Sequence, residues 1–313
     1  MQQEDSAASE GFNQWTVPWA TPEGPEIDAI RAGTFRVEDF EISAEQIADY
    51  QRDGVLLLEQ AFTDWVEPLR AGLARNLADP QSYRFPAEST RDGEPGRFFD
   101  SYCNWTLIPE YRDFVFNSGA AALAGRAMRA SYAQFFHEHV FMKEPGTRRA
   151  TPWHQDIPYY CLSGDQSASI YIALDDVDAD LAVQYVKGSH RWGKIYYPKV
   201  WLNNTDFNVG DDGYDGAVPD IDRHPQDHDV ACWPLRAGDT VLFSFKTLHG
   251  TSDGVMRQAR SAFSTRWMGD DIRYLERAGE TSPPFVDMGL ETGDHMREDW
   301  FPVLWRKEQG NSL

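Results

Sequence analysis

The chain has 313 residues, with 29 lysines and arginines against 50 aspartates and glutamates, so its formal net charge is −21 at pH 7. This length fits one large β-rich domain or two smaller domains, and so acidic a protein repels phosphate backbones, which excludes nucleic acid as an expected partner. The sequence has no recognisable signal peptide and no long apolar run, so we expect no membrane partner and a cytoplasmic location.

The N-terminal third predicts an extension followed by helices. Residues 1–42 are rich in Glu, Pro and Gly, which indicates a partly ordered extension that packs on the core through Trp15 and Trp19. We expect residues 43–313 to form one domain. Ser43-Ala-Glu-Gln46 has the form of a capping box and predicts a helix that ends at Asp53-Gly54. The next predicted elements are a strand at 55–58, a helix from Thr63 toward Leu77 and a helix over about 120–130.

From residue 132 the sequence consists of short aromatic and β-branched runs. These runs cover 134–143, 169–174, 182–186, 240–245 and 261–267. Separated by Gly, Pro and Asp, they predict an antiparallel sandwich or jelly roll with helices outside it. Residues 203–228 are crowded with Asp, Asn and Gly and are interpreted as a long surface loop, either a lid over a site or a disordered segment. Cys103, Cys161 and Cys232 are interpreted as buried reduced thiols.

The segment "TPWHQDIPYY", residues 151–160, contains the pattern His154-x-Asp156. If this segment is extended, both side chains lie on one face and can converge on one metal ion. A third ligand is required, and His249 is the best candidate because it ends the apolar strand in "GDTVLFSFKTLHGTSDG". Two histidines and one carboxylate leave three positions of an octahedral ion open, as in non-haem Fe(II) oxygenases. Pro152 and Pro158 argue against a helical HExxH-type zinc site, which favours iron over zinc.

The spacing of these residues resembles a known family. An HxD pattern 95 residues before the histidine of "GDTVLF…LHG", with Arg260 eleven residues further on in "RSAFSTRW", is similar to the phytanoyl-CoA dioxygenase family of Fe(II)/2-oxoglutarate-dependent oxygenases. Further similarity lies in "FMKEPGTRRATPWHQD", "VKGSHRWG" and "RDGVLLLEQAF", so the resemblance runs from about residue 43 to about residue 275.

The resemblance implies a fold, a cofactor set and residue roles. The implied fold is mainly β with flanking helices, a double-stranded β-helix of the cupin-like jelly-roll type. The implied iron ligands are His154, Asp156 and His249, with 2-oxoglutarate as cosubstrate and O2 as oxidant. Arg260 would bind the distal carboxylate of 2-oxoglutarate through its planar donor fork. The further cosubstrate contacts implied are Thr251, Tyr171 and, as a weaker candidate, Lys143.

Enzymes of this kind decarboxylate 2-oxoglutarate to succinate and CO2 and hydroxylate an unactivated C–H bond of a small or medium organic molecule. Halogenating relatives replace the carboxylate ligand with a small residue, so the presence of Asp156 favours hydroxylation. Two alternatives remain open: a catalytically silent jelly-roll binding protein, and a cupin-type metal isomerase or hydrolase. The sequence fixes neither the substrate nor the oligomeric state.

Several other polar and aromatic residues near these motifs have structural interpretations as well as functional ones. His137 and His139 are interpreted as structural or pocket-lining, and His190 as a hydrogen-bonding turn residue. Arg266 lies six residues beyond Arg260 and faces the same way on a regular strand. It would anchor an anionic substrate, stand in for Arg260 or form a surface salt bridge. The remaining flanking residues, interpreted as pocket wall for an apolar or cationic substrate, are Trp153, Tyr159, Tyr160 and Trp267.

Overall fold

The computed structural model describes residues 19–88, 90, 93, 95–148, 150–200, 205–209, 213–252 and 254–307. Its α-helices within these ranges are α1 (Pro25–Arg31), α2 (Ala44–Asp53), α3 (Val66–Ala78), α4 (Pro109–Asn117) and α5 (Ala120–Ala127). The predicted capping box is confirmed: the Ser43 and Gln46 side chains each bond the other's backbone N–H, at 3.1 and 2.9 Å. Gly54, in the left-handed conformation, ends α2.

The strands of the described ranges form one large antiparallel sheet and three small ones. They are β1 (Val55–Leu58), β2 (Ala87–Glu88), β3 (Phe98–Tyr102), β4 (Tyr132–Lys143), β5 (Leu162–Ser163), β6 (Ser167–Ala173), β7 (Gln184–Val186), β8 (Lys199–Val200), β9 (Thr205–Asp206), β10 (Val230–Cys232), β11 (Thr240–Phe243), β12 (His249–Gly250), β13 (Arg260–Met268), β14 (Arg273–Tyr274) and β15 (Val303–Arg306).

The large sheet has the order β1-β11-β6-β13-β4-β3-β2, and β15 also pairs with β4. A smaller sheet, β10-β7-β12, packs against its inner face through a cluster that includes Tyr171, Tyr185 and Phe243. The outer face of the large sheet is covered by α3, α4 and α5 through a second core that includes Phe263 and Trp267. This is the predicted mainly β jelly roll, a double-stranded β-helix with flanking helices.

Alternation along β13 separates the two cores. Arg260, Ala262, Ser264 and Arg266 line the cavity between the sheets, whereas Phe263 and Trp267 are buried under the helices. The expectation that Trp267 flanks the site is therefore wrong, because Trp267 lies on the opposite face of its strand from Arg266. Its indole N–H donates to Thr265 Oγ1 at 2.9 Å.

Some element boundaries and burial expectations need correction. The alanine-rich helix ends at Ala127, not near residue 130, because the chain turns there and Arg129 takes a positive φ of 55°. Cys103 and Cys161 are buried as expected, but Cys232 is half-buried on the edge strand β10, where its thiol donates to a backbone carbonyl. Helices α1 and α4 were not anticipated.

The N-terminal extension and the 203–228 segment each lie only partly within the described residues. Trp15 lies outside the described residues, but Trp19 contacts the rings of Phe85 and Phe285, and Ile27 of α1 is buried in the helix-side core. In the 203–228 segment, residues 203, 204 and 210–212 lie outside the description, while Tyr214 is buried and its hydroxyl donates to the Pro158 carbonyl at 3.2 Å. No helix of the described ranges is long and apolar enough to cross a lipid bilayer.

Candidate active site

His154 and His249 face each other as an antiparallel backbone pair. Each backbone N–H donates to the carbonyl of the other residue at 2.9 Å, and the two imidazole centroids lie 4.2 Å apart. Gly250 permits this approach, since a Cβ there would lie 3.0 Å from the Thr151 carbonyl oxygen. The glycine of "LHG" thus lets the 151–154 segment reach β12 and brings together two histidines that are 95 positions apart.

Both imidazoles are oriented by the carbonyl two residues earlier in the chain. His154 Nδ1 lies 2.7 Å from the Pro152 oxygen, and His249 Nδ1 lies 2.9 Å from the Thr247 oxygen. A carbonyl only accepts hydrogen bonds, so Nδ1 carries a proton in both rings and Nε2 is the atom that can bind a metal. Metal-binding histidines are commonly held in this way.

Asp156 reaches the two histidines through a turn rather than through a continuous extended segment. Its backbone is helical, with φ −76° and ψ −39°, and a short 3-10 turn follows over Ile157–Tyr159. The condition of an extended segment from 154 to 156 is therefore not met at Asp156. The turn is held by the Phe245 carbonyl, which accepts from the N–H groups of Asp156 and Ile157 at 2.8 and 3.0 Å.

The donor atoms of the three side chains form a compact buried group. Asp156 Oδ1 lies 3.6 Å from the Nε2 atoms of both His154 and His249, and the ligand atoms of all three residues lie within 4.8 Å of one another. A separation of 3.6 Å is too long for a hydrogen bond and suits donors that share an ion. Two neutral imidazoles and a carboxylate can hold a divalent cation at this point.

The protonation states fit metal binding. Burial lowers the pKa of His249 to about 3, so its ring is neutral. Burial alone would raise the pKa of the Asp156 carboxyl, but the guanidinium of Arg266 and the two histidines together outweigh it and hold this pKa well below its usual range. Asp156 Oδ2 lies 3.6 Å from Arg266 Nη2 and accepts a hydrogen bond from Ser169 Oγ at 3.1 Å. Oδ1 therefore faces the histidines.

The cavity around these three residues occupies about 630 Å³, including the part open to solvent. At its other end Arg260 and Lys143 are buried and directly opposite each other on β13 and β4. Arg260 donates to the Leu181 carbonyl at 3.0 Å and to the Tyr171 hydroxyl at 3.3 Å. Thr251 also lines the cavity, and its hydroxyl accepts from the Thr151 N–H at 2.7 Å. Like charges placed opposite each other on neighbouring strands favour an anion between them.

The residues expected on the substrate side have different positions. Arg266 is buried and lines the cavity, so the surface salt bridge considered for it is wrong. Tyr160 is buried and its hydroxyl accepts from Arg266 Nε at 3.2 Å. Tyr159 is half-buried, with its ring 5.8 Å from that of His154. Trp153 is half-buried and points toward the 213–228 segment, where its N–H donates to Asp222 at 2.9 Å.

Three histidines outside the candidate metal site lie in other environments. His139 Nε2 lies 2.9 Å from Asp100 Oδ2, and His190 Nε2 lies 3.2 Å from the Gln51 carbonyl. His137 is buried beside Tyr160. Arg257 is exposed and pairs with Asp178 and Asp180.

Sequence reasoning missed cavity residues that alternation along the strands could have found. Ser264 and Ala262 have the same parity as Arg260 on β13. Ser169, which donates to Asp156, has the same parity as Tyr171 on β6. Tyr185 of β7 carried no such signal. Its register opposite His249 brings the two rings to 5.9 Å, nearly parallel.

Comparison with known proteins gives a family match. The family model described as phytanoyl-CoA dioxygenase matches residues 50–262. Among curated relatives, an ectoine dioxygenase of Bordetella parapertussis is 24% identical over 225 residues, which cover 68% of this chain and 71% of that protein. A probable phytanoyl-CoA dioxygenase of Caenorhabditis elegans is 23% identical over 299 residues, which cover 85% and 86% of the two chains.

Solved structures share the fold. The epimerase SnoN from nogalamycin biosynthesis, in complex with iron and α-ketoglutarate, superposes with a TM-score of 0.64 at 21% identity over 83% of this chain and 98% of that chain. EctD from S. alaskensis with 2-oxoglutarate and 5-hydroxyectoine gives 0.56 at 18% identity, covering 78% and 82%. With a match over residues 50–262, the chain belongs to the phytanoyl-CoA dioxygenase family, whose members are oxygenases that use Fe(II), 2-oxoglutarate and O2.

Proposed function

We propose that this protein hydroxylates an unactivated C–H bond of a small or medium organic molecule, with Fe(II) held by His154, Asp156 and His249. One observation carries the proposal: a single buried cavity has three converging metal donors at one end and two opposed cations at the other. The first group suits a ferrous ion with open coordination positions, and the second suits the distal carboxylate of a dicarboxylate cosubstrate.

The donor set fits iron better than a structural zinc. Structural zinc sites use four protein ligands and commonly cysteines, whereas the cysteines of this chain lie outside the three-residue donor group. Each imidazole is already fixed by a backbone carbonyl, and the carboxylate is fixed by Ser169 and Arg266. These contacts hold the ligands ready before any ion binds.

The other end of the cavity would hold 2-oxoglutarate. Arg260 has a planar donor fork suited to a carboxylate, and Lys143 adds a second charge opposite it. Tyr171 and Thr251 supply hydroxyls on the same wall. When bound, iron and 2-oxoglutarate would supply the O2-activating chemistry, with succinate and CO2 as coproducts. The protein would orient these groups and exclude water from them.

The relatives support a small-molecule substrate for this chain, since one is named for ectoine and one structure comes from nogalamycin biosynthesis. The placement of Trp153 and Trp267 removes part of the reason for expecting an apolar or cationic substrate. A single domain over 43–313, a lid in 203–228 and a cytoplasmic location stay predictions.

The test is succinate formation by purified protein supplied with Fe(II), 2-oxoglutarate and a broad panel of small molecules. We expect His154→Ala and Asp156→Ala to abolish both turnover and Fe(II) binding. Arg257→Gln, a change in the exposed turn, should leave both intact. A wild-type protein that binds no Fe(II) would leave the silent binding protein as the better description. Activity with Zn(II), or without 2-oxoglutarate, would favour a cupin-type isomerase or hydrolase.

A further inference from the structure

Strands β4 and β13 carry a row of cross-strand pairs on the face of the sheet that bears the cavity, and the cavity lining includes the four β13 members of the row and, on β4, Phe141 and Lys143. The pairs are Lys143 with Arg260, Phe141 with Ala262, His139 with Ser264, and His137 with Arg266. The first and last pairs lie roughly 20 Å apart along the strands, from a rise of about 3.3 Å per residue. The row begins with Lys143 and Arg260, at the end of the cavity proposed to hold 2-oxoglutarate. It ends with Arg266 and His137.

Three buried polar atoms in the second half of the row have no hydrogen-bond partner among the described residues. They are Ser264 Oγ, Arg266 Nη1 and His137 Nδ1, and all three residues are at most 4% exposed. Leaving a buried donor or acceptor unpaired destabilises the folded state, and more so for a charged group. Ser264 and Arg266 lie on the same wall of the first cavity, so a ligand bound there would complete their hydrogen bonds.

Two of the three guanidinium nitrogens of Arg266 have contacts with protein side chains. Its Nη2 faces Asp156 and its Nε donates to Tyr160, and these contacts orient the guanidinium and leave Nη1 for a ligand. His137 packs edge-on against the same tyrosine, with ring centroids 5.3 Å apart. Burial and the charge of Arg266 lower the pKa of His137 well below its usual range, so this ring is neutral.

The lining of the cavity is rich in positive charge. Its basic side chains are Lys143, Arg260 and Arg266, and its carboxylate is Asp156. A lining of this kind favours a compact anion over a neutral ligand.

A second cavity lies beside His137. It occupies about 340 Å³, including the part open to solvent, and its wall is mainly aromatic, formed by residues that include Phe136, Phe285 and Trp300. His137 lines this second cavity, whereas its cross-strand partner Arg266 lines the first. The pair therefore stands between the ligand-binding end and a chamber with several aromatic side chains in its wall, against which an aromatic or hydrocarbon tail would pack.

We propose that Arg266 and Ser264, both on the wall of the first cavity, bind the carboxylate of a monocarboxylic acid substrate and thereby select acids over neutral analogues. Arg266 Nη1 and the Ser264 hydroxyl donate to the carboxylate, and His137, opposite Arg266 on the wall of the second cavity, faces the rest of the substrate. The assignment rests on the proposed function, because it takes the other cationic end of the row as the site of 2-oxoglutarate.

The test uses wild-type protein loaded with Mn(II) and saturating 2-oxoglutarate, titrated in a calorimeter. The probes are hexanoate and 3-phenylpropanoate, each compared with its primary amide. We expect wild-type protein to bind each acid at least tenfold more tightly than its amide. Arg266→Gln should abolish that preference and Ser264→Ala should reduce it several-fold, whereas Arg266→Lys keeps part of it. Arg257→Gln, which removes an exposed arginine, should keep the full preference.

Equal affinities for acid and amide in the wild type, or no binding of either acid, would overturn the assignment, and a trapped water would then be the partner of these atoms. A preference that survives Arg266→Gln would overturn it as well. Ser264→Ala removes one hydroxyl and keeps the test informative should the arginine variant fail to fold. Binding of Mn(II) and 2-oxoglutarate is measured first in the same experiment. Its failure would reject the proposed function, while its success with no acid preference rejects only the substrate class.

Discussion

Glu138 is a buried carboxyl on the helix-facing side of β4, between His137 and His139 in sequence. One of its oxygens accepts hydrogen bonds from the backbone N–H groups of Asn104 and Trp105, and Oε2 has no partner in the described part of the chain. Burial raises the pKa of Glu138 to about 7, despite these hydrogen bonds. The carboxyl therefore fixes the 103–105 turn, and its ionisation weakens the fold.

This raised pKa predicts a pH dependence of stability. The folded protein holds the Glu138 proton up to about pH 7, whereas the unfolded chain releases it near its model value of 4.5. Its contribution is therefore complete below pH 4.5 and is lost as the pH rises through 7, by at most about 1.4 kcal/mol per pH unit. We expect Glu138→Gln to remove this decline from urea unfolding curves measured between pH 5 and 8. The exposed Glu45→Gln serves as the control, and equal slopes in wild type and Glu138→Gln would contradict the prediction.

At the scale of elements, Gly54 connects helix α2 to the ligand-bearing strands. Its carbonyl accepts from the Ser244 N–H at 3.0 Å and from the Thr247 hydroxyl at 2.7 Å. The 244–247 segment leads directly into His249, and its Phe245 carbonyl holds the turn at Asp156. The end of one helix thus positions both segments of the candidate metal site.

A matched pair of glycine substitutions tests how tightly this junction is packed. Gly54 and Gly33 have positive φ values of 71° and 70°, but a Cβ at Gly54 would lie 2.1 Å from His190 Nδ1, while one at Gly33 meets nothing within 4 Å. Both alanine variants lose about 1–2 kcal/mol from backbone strain. Gly54→Ala should lose roughly 1–3 kcal/mol more, because the His190 ring must move. Equal changes in the free energy of unfolding would show that the ring moves without cost.

The elements that sequence patterns predicted are those with strong local signals. The capping box set α2, and the alternation of β13 gave Arg260 and Arg266 a common face. The same alternation already excluded Trp267, seven residues from Arg260, from the cavity. Helices α1 and α4 each have proline at the first helical position, which is a local signal for the start of a helix.

The parts of the site that could not be predicted depend on tertiary contacts. The turn at Asp156 is fixed by the Phe245 carbonyl, almost ninety residues away in sequence, and no local pattern reports that bond. Tyr185 reaches His249 through pairing of two very short strands. The HxD spacing nevertheless identified two residues, His154 and Asp156, that lie together in the site. His154 is placed by its antiparallel backbone pairing with His249, so the segment from 154 to 156 need not be extended.

For the whole molecule, the distribution of charge matters more than its total. The chain carries −21 overall, yet the cavity is lined by three buried basic side chains and Asp156. An acidic exterior repels large polyanions at long range, whereas a basic interior attracts a compact anion that can enter. This arrangement suits a dicarboxylate cosubstrate and a monoanionic substrate.

Ligand binding should stabilise the entire fold, because the proposed ligands come from segments distant in sequence. A ligand present at one hundred times its dissociation constant, and bound only by the folded state, adds about 2.7 kcal/mol. For a chain of this size that corresponds to a rise in Tm of roughly 5 °C. We expect Mn(II) with 2-oxoglutarate to produce this rise in the wild type and in Arg257→Gln. Asp156→Ala should show no rise, whatever its own Tm, because it lacks the carboxylate of the proposed metal site. Scanning calorimetry with and without both ligands measures the difference. A full shift in Asp156→Ala would mean that Mn(II) and 2-oxoglutarate bind elsewhere on the protein.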